Sequence, residues 1–306
     1  MSGVAPLSRL VRADSLSRHI GSDVYLKLES ELPTGSFKVR GAMHALTKRR
    51  AAEPIAEVVA ASTGNHGAAV AYAARQLSIA ASIFLPTGSN PVKVARIESL
   101  GAKLVAVGHT IEDARRAAEE HAAASGAFLL DDATDSDIPI GAGAIATEVL
   151  AQLPHVHAMY VPVGDSALIR GIAAVLKPQR PDIRVIGVQT ESAPAFYRSW
   201  QARKVVTAPA NTIADGLAST RPTHANLQAV LGLVDDIVLV TDDALLNAVA
   251  WLLFKEHLVA EPAGAAPTAA ILAAGAGPRE ATVLLVSGSN VSDAVLSRAA
   301  LRHDAQ

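Results

Sequence analysis

Cysteine is absent from this chain of 306 residues, and aromatic residues make up only 4% of it. The absence of cysteine excludes disulfides, thiolate nucleophiles, zinc–cysteine sites and iron–sulfur clusters. The shortage of aromatic residues argues against a base-stacking surface for nucleic acid. The chain also lacks an excess of charge of one sign, because it has 27 lysines and arginines and 29 aspartates and glutamates, a net charge of −2. We therefore expect neither a nucleic-acid partner nor a membrane partner.

Long apolar runs are missing as well, although hydrophobic residues make up 50% of the chain and charged residues 18%. No run approaches the roughly 20 residues of a membrane-spanning helix. Residues 1–10 lack the apolar segment of a secretory signal. This composition excludes a mostly disordered chain. We expect a cytoplasmic α/β protein, either one large unit or two domains.

Short β-rich runs alternate with alanine-rich segments of helical period, which predicts parallel pairing of the strands. The predicted strands are residues 58–62, 81–85, 103–107, 159–163, 184–189, 236–240 and 281–286. The predicted helices are residues 68–76, 92–100, 167–176, 244–257 and 267–274, and one capped by Thr110 that runs to Ala124. Residues 274–278 are a predicted loop. We predict a small α/β domain at 47–141, inserted into a larger domain of residues 1–46 and 142–306.

Four loops carry the candidate chemistry, because ligands of open α/β sheets bind beyond the carboxyl ends of the strands. In the first, Lys38 lies between Phe37 and Val39. Apolar neighbours favour the neutral, nucleophilic amine that bonds an aldehyde. The alternative is a solvated surface lysine on a helix that opens at Ser36.

The second loop, Ser62-Thr63-Gly64-Asn65-His66-Gly67, joins an apolar strand to a helix. Its small residues permit close backbone approach, and the helix start offers free amides to an anion. The alternative is an ordinary turn in which Asn65 caps the helix. His66 alone is more often a structural residue than a base, and the pattern of histidines and carboxylates predicts no metal site.

The third and fourth loops follow two further strands. The amides of Gly164 to Leu168 could bind a phosphate at a helix start, although Asp165 would repel it unless its side chain points away. The sequence there has neither a Walker lysine nor a dinucleotide-binding glycine pattern. The last loop, Ser287-Gly288-Ser289-Asn290, places hydroxyls at a strand end; the alternative is a turn with capping serines. Together, an amine, an anion site, an amide and a serine meet the needs of pyridoxal phosphate.

The motifs behind this interpretation closely resemble those of the fold-type II pyridoxal phosphate enzymes, in the threonine/serine dehydratase and serine racemase branch. They occur in family order and cover most of the chain. They are Gly35-Ser36-Phe37-Lys38-Val39-Arg40-Gly41-Ala42, Ser62 to Gly67, Thr212-Ile213-Ala214-Asp215-Gly216-Leu217, Glu261-Pro262-Ala263-Gly264 and Ser287 to Asn290. The resemblance implies a two-domain fold similar to the tryptophan synthase β chain, with mostly parallel sheets and helices on both faces. It also implies a homodimer.

The resemblance also implies a role for each matching residue. Lys38 would bond the cofactor aldehyde and later act as acid and base at the substrate Cα. The implied cofactor-binding residues are Phe37, Lys38, Asn65, Gly164, Asp165, Ser166, Ala167, Leu168 and Ser287. The implied substrate-binding residues are Ser62, Thr63 and His66. Thr63 is also a candidate catalytic residue, because it occupies the position of the racemase serine.

Three departures from the family pattern refine the expected activity. The dehydratase phosphate loop of four glycines is here Gly164-Asp165-Ser166-Ala167, which is similar to the hydroxyectoine-utilisation subgroup. The acidic metal ligands of the racemases are replaced by Gln189, Ala193 and Ala195, so we expect no metal dependence. Threonine at position 63 makes racemisation a weaker hypothesis, and Val39 favours the dehydratase branch over threonine and cysteine synthases.

The expected reaction is the α,β-elimination of a 3-hydroxy amino acid of the threonine or serine type, to a 2-oxo acid and ammonia. The alternative substrates are bulkier: a phenylserine, a hydroxyaspartate or a hydroxyectoine-derived compound. A non-catalytic ligand-binding α/β protein is a weaker hypothesis, supported only by the altered phosphate loop. A nicotinamide-dependent oxidoreductase lacks the glycine fingerprint that it needs.

Overall fold

The computed structural model describes residues 6–89, 91–275 and 280–303. The strands within these ranges are β1 Leu10–Arg12, β2 Val24–Leu28, β3 Glu57–Ala61, β4 Ala80–Leu85, β5 Lys103–Ala106, β6 Phe128–Leu129, β7 Ala158–Pro162, β8 Arg184–Thr190, β9 Asp236–Val240 and β10 Thr282–Val286. The α-helices are α1 Asp14–Ile20, α2 Lys38–Ala52, α3 Asn65–Gln76, α4 Pro91–Ser99, α5 Ile111–Ser125, α6 Asp137–Gln152, α7 Ala167–Gln179, α8 Ala195–Ala202, α9 His224–Leu231, α10 Asp242–Lys255, α11 Pro262–Ala274 and α12 Asp293–His303.

The seven predicted strands are all present, with ends that differ from the prediction by at most one residue. The predicted cap of α5 is confirmed, since the Thr110 hydroxyl accepts a hydrogen bond of 3.1 Å from the Asp113 amide. The helix predicted to start at Pro267 begins instead at Pro262. Proline at the first helical position lacks only an amide that would have no partner there, so it starts a helix readily. Residues 276–278 of the loop predicted at 274–278 lie outside the described residues.

Contacts divide the chain into two compact units, residues 1–6 with 32–142 and residues 7–31 with 143–306. The first unit therefore contains Lys38 together with β3, β4, β5 and β6. These units are defined by contacts alone and need not coincide with domains. The predicted small domain at 47–141 therefore stays a prediction.

The first unit is built on a four-stranded parallel sheet in the order β5-β4-β3-β6. Two alanines of α5, Ala114 and Ala118, pack with Val59 of β3 and Phe84 of β4 in one apolar cluster. Because β3 and β6 run parallel as direct neighbours, with Val59 opposite Leu129, their carboxyl ends open at the same edge.

The second unit is built on a six-stranded sheet in the order β1-β2-β10-β7-β8-β9, in which only β1 runs antiparallel to its neighbour. All five residues of the central strand β10 are buried, as expected for a sheet covered on both faces. A Cβ on Gly264 of α11 would meet the backbone of Gly288, so a glycine permits the close approach of this helix to the loop after β10. None of the helices in the described ranges combines the length and the apolarity required to cross a membrane.

Candidate active site

Lys38 is the first residue of the 15-residue helix α2, and Phe37 occupies the N-cap position. Its side-chain amine forms an ion pair and hydrogen bond with the carboxylate of Asp132. Both side chains are largely buried, with 22% of Lys38 and 17% of Asp132 exposed. The amine also lies 5.7 Å from the centroid of the Phe37 ring. The local structure therefore supports a sheltered amine over the alternative of a solvated surface lysine.

Asp132 reaches Lys38 because the two-residue strand β6 runs beside β3. Residues 130–132 follow β6 directly, at the edge of the sheet where the loop after β3 begins. The His66 Nε2 lies 2.8 Å from the Leu130 carbonyl oxygen, which can only accept, so this nitrogen carries the proton. The other ring nitrogen, Nδ1, is buried and has no hydrogen-bond partner among the described residues.

The charges around Asp132 favour its ionised form. Burial opposes ionisation, but the Lys38 ammonium, the His66 ring and the Arg115 guanidinium outweigh it, so the pKa of Asp132 lies below its ordinary value. Sequence analysis did not identify Asp132. The available signal was an acidic pair directly after the apolar run 128–130.

The loop after β3 is tightly folded at the start of α3. Gly64 is the N-cap of α3 and Asn65 its first residue, so the alternative in which Asn65 caps the helix is wrong. The Ser62 hydroxyl accepts a hydrogen bond of 3.2 Å from the Gly64 amide, and Thr63 is half-buried. A Cβ on Gly67, in the first turn of α3, would lie 3.0 Å from the Ser62 carbonyl oxygen, so a larger residue there would require the neighbouring backbone to shift slightly.

The loop after β7, the candidate anion cradle, leads into the 13-residue helix α7. Ser166 is the N-cap residue, in the left-handed region with φ of 73°. Its hydroxyl is buried without a hydrogen-bond partner among the described residues. A Cβ on Gly164 would collide with the carbonyl oxygen of Gly216, which explains why a glycine is present at this position. An unpartnered hydroxyl beside free helix-start amides fits a bound phosphate.

Asp165 lies next to the N-cap residue of α7. Its carbonyl oxygen accepts a hydrogen bond of 3.1 Å from the Asn226 side-chain amide, and the residue is exposed to solvent. Burial lowers the pKa of the Arg170 guanidinium, and the negative charge of Asp165 acts in the opposite direction. The Asp165 charge therefore has a cationic neighbour one and a half helical turns along α7.

Two further motifs of the second unit are Ser287–Asn290, which follows a strand next to β7 in the sheet, and Thr212–Leu217. Ser287 is buried, with 4% exposed, and follows β10, the direct neighbour of β7. The Thr212–Leu217 segment is held by Asp242, whose carboxylate accepts bonds of 2.7 Å from the Thr212 hydroxyl and 3.0 Å from the Ile213 amide. Sequence analysis did not identify Asp242. Within the described ranges, no three or more His, Cys, Asp or Glu side chains are grouped as metal ligands.

The first unit contains a sheltered lysine amine, and the second contains a helix start suited to an anion. A cofactor that is a phosphorylated aldehyde requires both kinds of group. The chain belongs to the family of pyridoxal-phosphate dependent enzymes, whose model matches residues 3–288. The predicted fold class and the predicted cofactor are therefore confirmed.

Relatives with named activities share most of this chain. An L-threonine ammonia-lyase of Geobacter sulfurreducens is 34% identical over 292 residues, which cover 95% of this chain and 73% of the relative. The solved structure of processed threonine deaminase isoform 2 from Solanum lycopersicum has a TM-score of 0.93 and 29% identity, covering 99% of this chain and 85% of that one. Maize serine racemase has a TM-score of 0.90 and 28% identity, covering 98% and 93% of the two chains.

Proposed function

We propose that this protein is a pyridoxal-phosphate-dependent ammonia-lyase that eliminates water from a 3-hydroxy amino acid of the threonine or serine type. The products are a 2-oxo acid and ammonia. The observation that carries this proposal is the buried Lys38 amine at the start of α2, within a motif typical of the dehydratase branch. Similarity to threonine ammonia-lyase and threonine deaminase over nearly the whole chain supports it.

The cofactor supplies an aldehyde for amines and a ring that accepts electrons from the substrate Cα. Lys38 would hold the cofactor through its Nζ atom, and after substrate binds it would take the proton from Cα. The amides of residues 164–168 and the Ser166 hydroxyl would hold the phosphate. Phe37, Asn65 and Ser287 would contact the ring, its hydroxyl and its nitrogen in that order.

Substrate recognition is proposed for the loop after β3. Ser62, Thr63 and His66 would bind the substrate carboxylate, since the loop offers hydroxyls and a helix-start amide array. A neutral Ser287 at the ring nitrogen favours elimination over a long-lived carbanion. Together with a threonine at position 63, this makes racemisation the weaker activity.

The substrate is tested by comparing amino acids with the purified enzyme. We expect 2-oxo acid and ammonia in equal amounts from L-threonine or L-serine, at a higher kcat/KM than from phenylserine, hydroxyaspartate or hydroxyectoine-derived compounds. A higher kcat/KM with one of the bulkier compounds would identify that compound, and neither threonine nor serine, as the preferred substrate. Conversion of L-serine to D-serine without 2-oxo acid would contradict the proposed elimination.

The covalent role of Lys38 is tested by Lys38→Ala, with Lys48→Ala on the exposed part of the same helix as the control. We expect the first variant to lose both turnover and the visible absorbance of the bound cofactor, because no other group supplies the amine. We expect the second to retain both. Retention of both by Lys38→Ala would exclude Lys38.

Two further properties complete the proposal. We propose that the enzyme is a homodimer, as its family resemblance implies, and that it is located in the cytoplasm. Light scattering of the purified protein should give twice the chain mass of 31.6 kDa. A mass equal to one chain would contradict the dimer.

A further inference from the structure

Lys38 has a position that by itself disfavours a positive charge. The start of an α-helix carries about half an elementary positive charge, which repels an ammonium group. The first turn of α2 contains no acidic residue that would offset this repulsion. The negative charge comes from Asp132, 94 residues further along the chain, and it contacts the amine directly.

The surroundings make this contact strong. Both side chains are largely buried, so water screens their attraction less than at the surface. The other charged or titratable groups that face Asp132 are His66 at the start of α3 and Arg115 of α5. Arg115 lies 3.4 Å from the carboxylate of Asp131, so the neighbouring carboxylate shares that cation and Lys38 is the direct partner of Asp132.

We propose that Asp132 is a positioning residue that holds the Lys38 amine as an ammonium group in the cofactor-free enzyme. This inference rests on the role proposed for Lys38. It has two consequences. The enzyme captures free cofactor through a minor, deprotonated form of Lys38, and the pH at which capture becomes fast is set by Asp132. The same charge stabilises Lys38 each time it accepts a proton from substrate.

The capture step makes this testable. A neutral amine adds to the aldehyde carbon, a C–N bond forms, and the aldehyde oxygen leaves as water. An ammonium group must first release its proton to solvent, so the observed rate rises with pH around the pKa of the amine. An opposite charge in direct contact shifts such a pKa by about one to three pH units.

The experiment measures the rate at which the full-length, cofactor-stripped protein captures pyridoxal phosphate, from pH 6 to 10, by visible absorbance. We expect the midpoint of the Asp132→Asn profile to lie about one pH unit or more below that of the unmodified protein. At neutral pH this corresponds to about tenfold faster capture or more. We expect Asp132→Glu, which retains the charge, to keep the original midpoint.

The matched control is Asp137→Asn, which removes the partner of another lysine of α2. Asp137 accepts a hydrogen bond of 2.6 Å from the Lys48 amine, which is 60% exposed. We expect the capture profile of this variant to equal that of the unmodified protein. An Asp132→Asn profile at or above the original midpoint would overturn the inference while leaving Lys38 in place. Covalent capture by Lys38→Ala would instead overturn the proposed role of Lys38.

A second measurement needs no variant, and it applies if Asp132→Asn does not fold. Competitive acetylation of the unmodified, cofactor-stripped protein reports the midpoint pH of each lysine by mass spectrometry. We expect the reactivity of Lys38 to rise at a higher pH than that of the exposed Lys48. Equal or lower midpoints for Lys38 would overturn the inference.

Discussion

The close approach of two glycine-containing loops in the second unit leads to a quantitative prediction. Gly164, in the loop after β7 proposed to bind the phosphate, has no room for a side chain: a Cβ there would overlap the carbonyl oxygen of Gly216. This neighbour is backbone, and the Asp242 carboxylate holds the Thr212–Leu217 segment that contains it. A Gly164→Ala substitution therefore forces one of the two loops to move.

The loss of stability depends on how far the backbone around Gly164 must shift. Inserting one methyl group into a packed site costs about 1–3 kcal/mol when side chains and backbone must shift. We expect the free energy of unfolding of Gly164→Ala to fall by this amount in urea titrations of the cofactor-free protein. Since 1.4 kcal/mol corresponds to a factor of ten, a comparable distortion of the phosphate cradle would weaken cofactor binding about tenfold or more.

Gly232 provides the matched control in the same unit. It ends α9 with φ of −92°, and a Cβ there would meet nothing within 4 Å. Alanine at such a position reduces the freedom of the unfolded chain and is expected to be neutral or stabilising by up to about 1 kcal/mol. Equal urea midpoints and cofactor affinities for Gly164→Ala and Gly232→Ala would refute the argument from the Gly216 carbonyl.

Three further substitutions test other parts of the structure. Ser166→Ala should leave the cofactor-free protein as stable as before, because the hydroxyl has no partner among the described residues, but it should weaken phosphate-dependent cofactor binding about tenfold; unchanged affinity would contradict its place in the cradle. Glu148→Gln removes the carboxylate that pairs at 2.5 Å with the fully buried Lys27 amine, so urea unfolding should show a loss of about 3–5 kcal/mol. A loss below about 1 kcal/mol would show that the other two acceptors of this amine, the Ser8 carbonyl oxygen and the Gln152 side chain, each at 2.9 Å, satisfy it. Burial raises the pKa of Glu57, but hydrogen bonds from His121 and a serine outweigh it and lower the pKa. The stability that this depressed pKa contributes is present above the ordinary pKa of glutamate, about 4.3, and is lost as pH falls below it. Glu57→Gln should therefore flatten the pH dependence of stability in that acid range, and an unchanged slope would exclude Glu57 as its source.

The predicted elements show what a linear pattern can determine. The buried strands and alanine-rich helices were predicted because apolar runs and helical periods are local properties of the chain. Strand β6 was not predicted, because two residues are too short to show a period. No element was predicted for the segments that form β1, β2, α1, α6, α8, α9 and α12, and a helix in the segment of α2 was predicted only as the alternative setting of Lys38.

Residue types and short spacings were sufficient to predict the family and the cofactor. A lysine between apolar neighbours, a loop of small residues before a helix, and the absence of cysteine are all visible in the letters, and their order along the chain indicated the family. These features depend on residue type and on near neighbours, so no knowledge of the fold was needed to find them.

The contacts between charged side chains became known from the folded chain. Asp132 contacts Lys38 because β6 lies beside β3 in the sheet, although 94 residues separate the two side chains in the chain. Likewise, the Gly216 carbonyl oxygen leaves no room for a Cβ on Gly164, and Asp242 binds the segment that contains Gly216. Electrostatic and steric contacts depend on distance in space, and the order of strands in a sheet sets that distance independently of their order in the sequence.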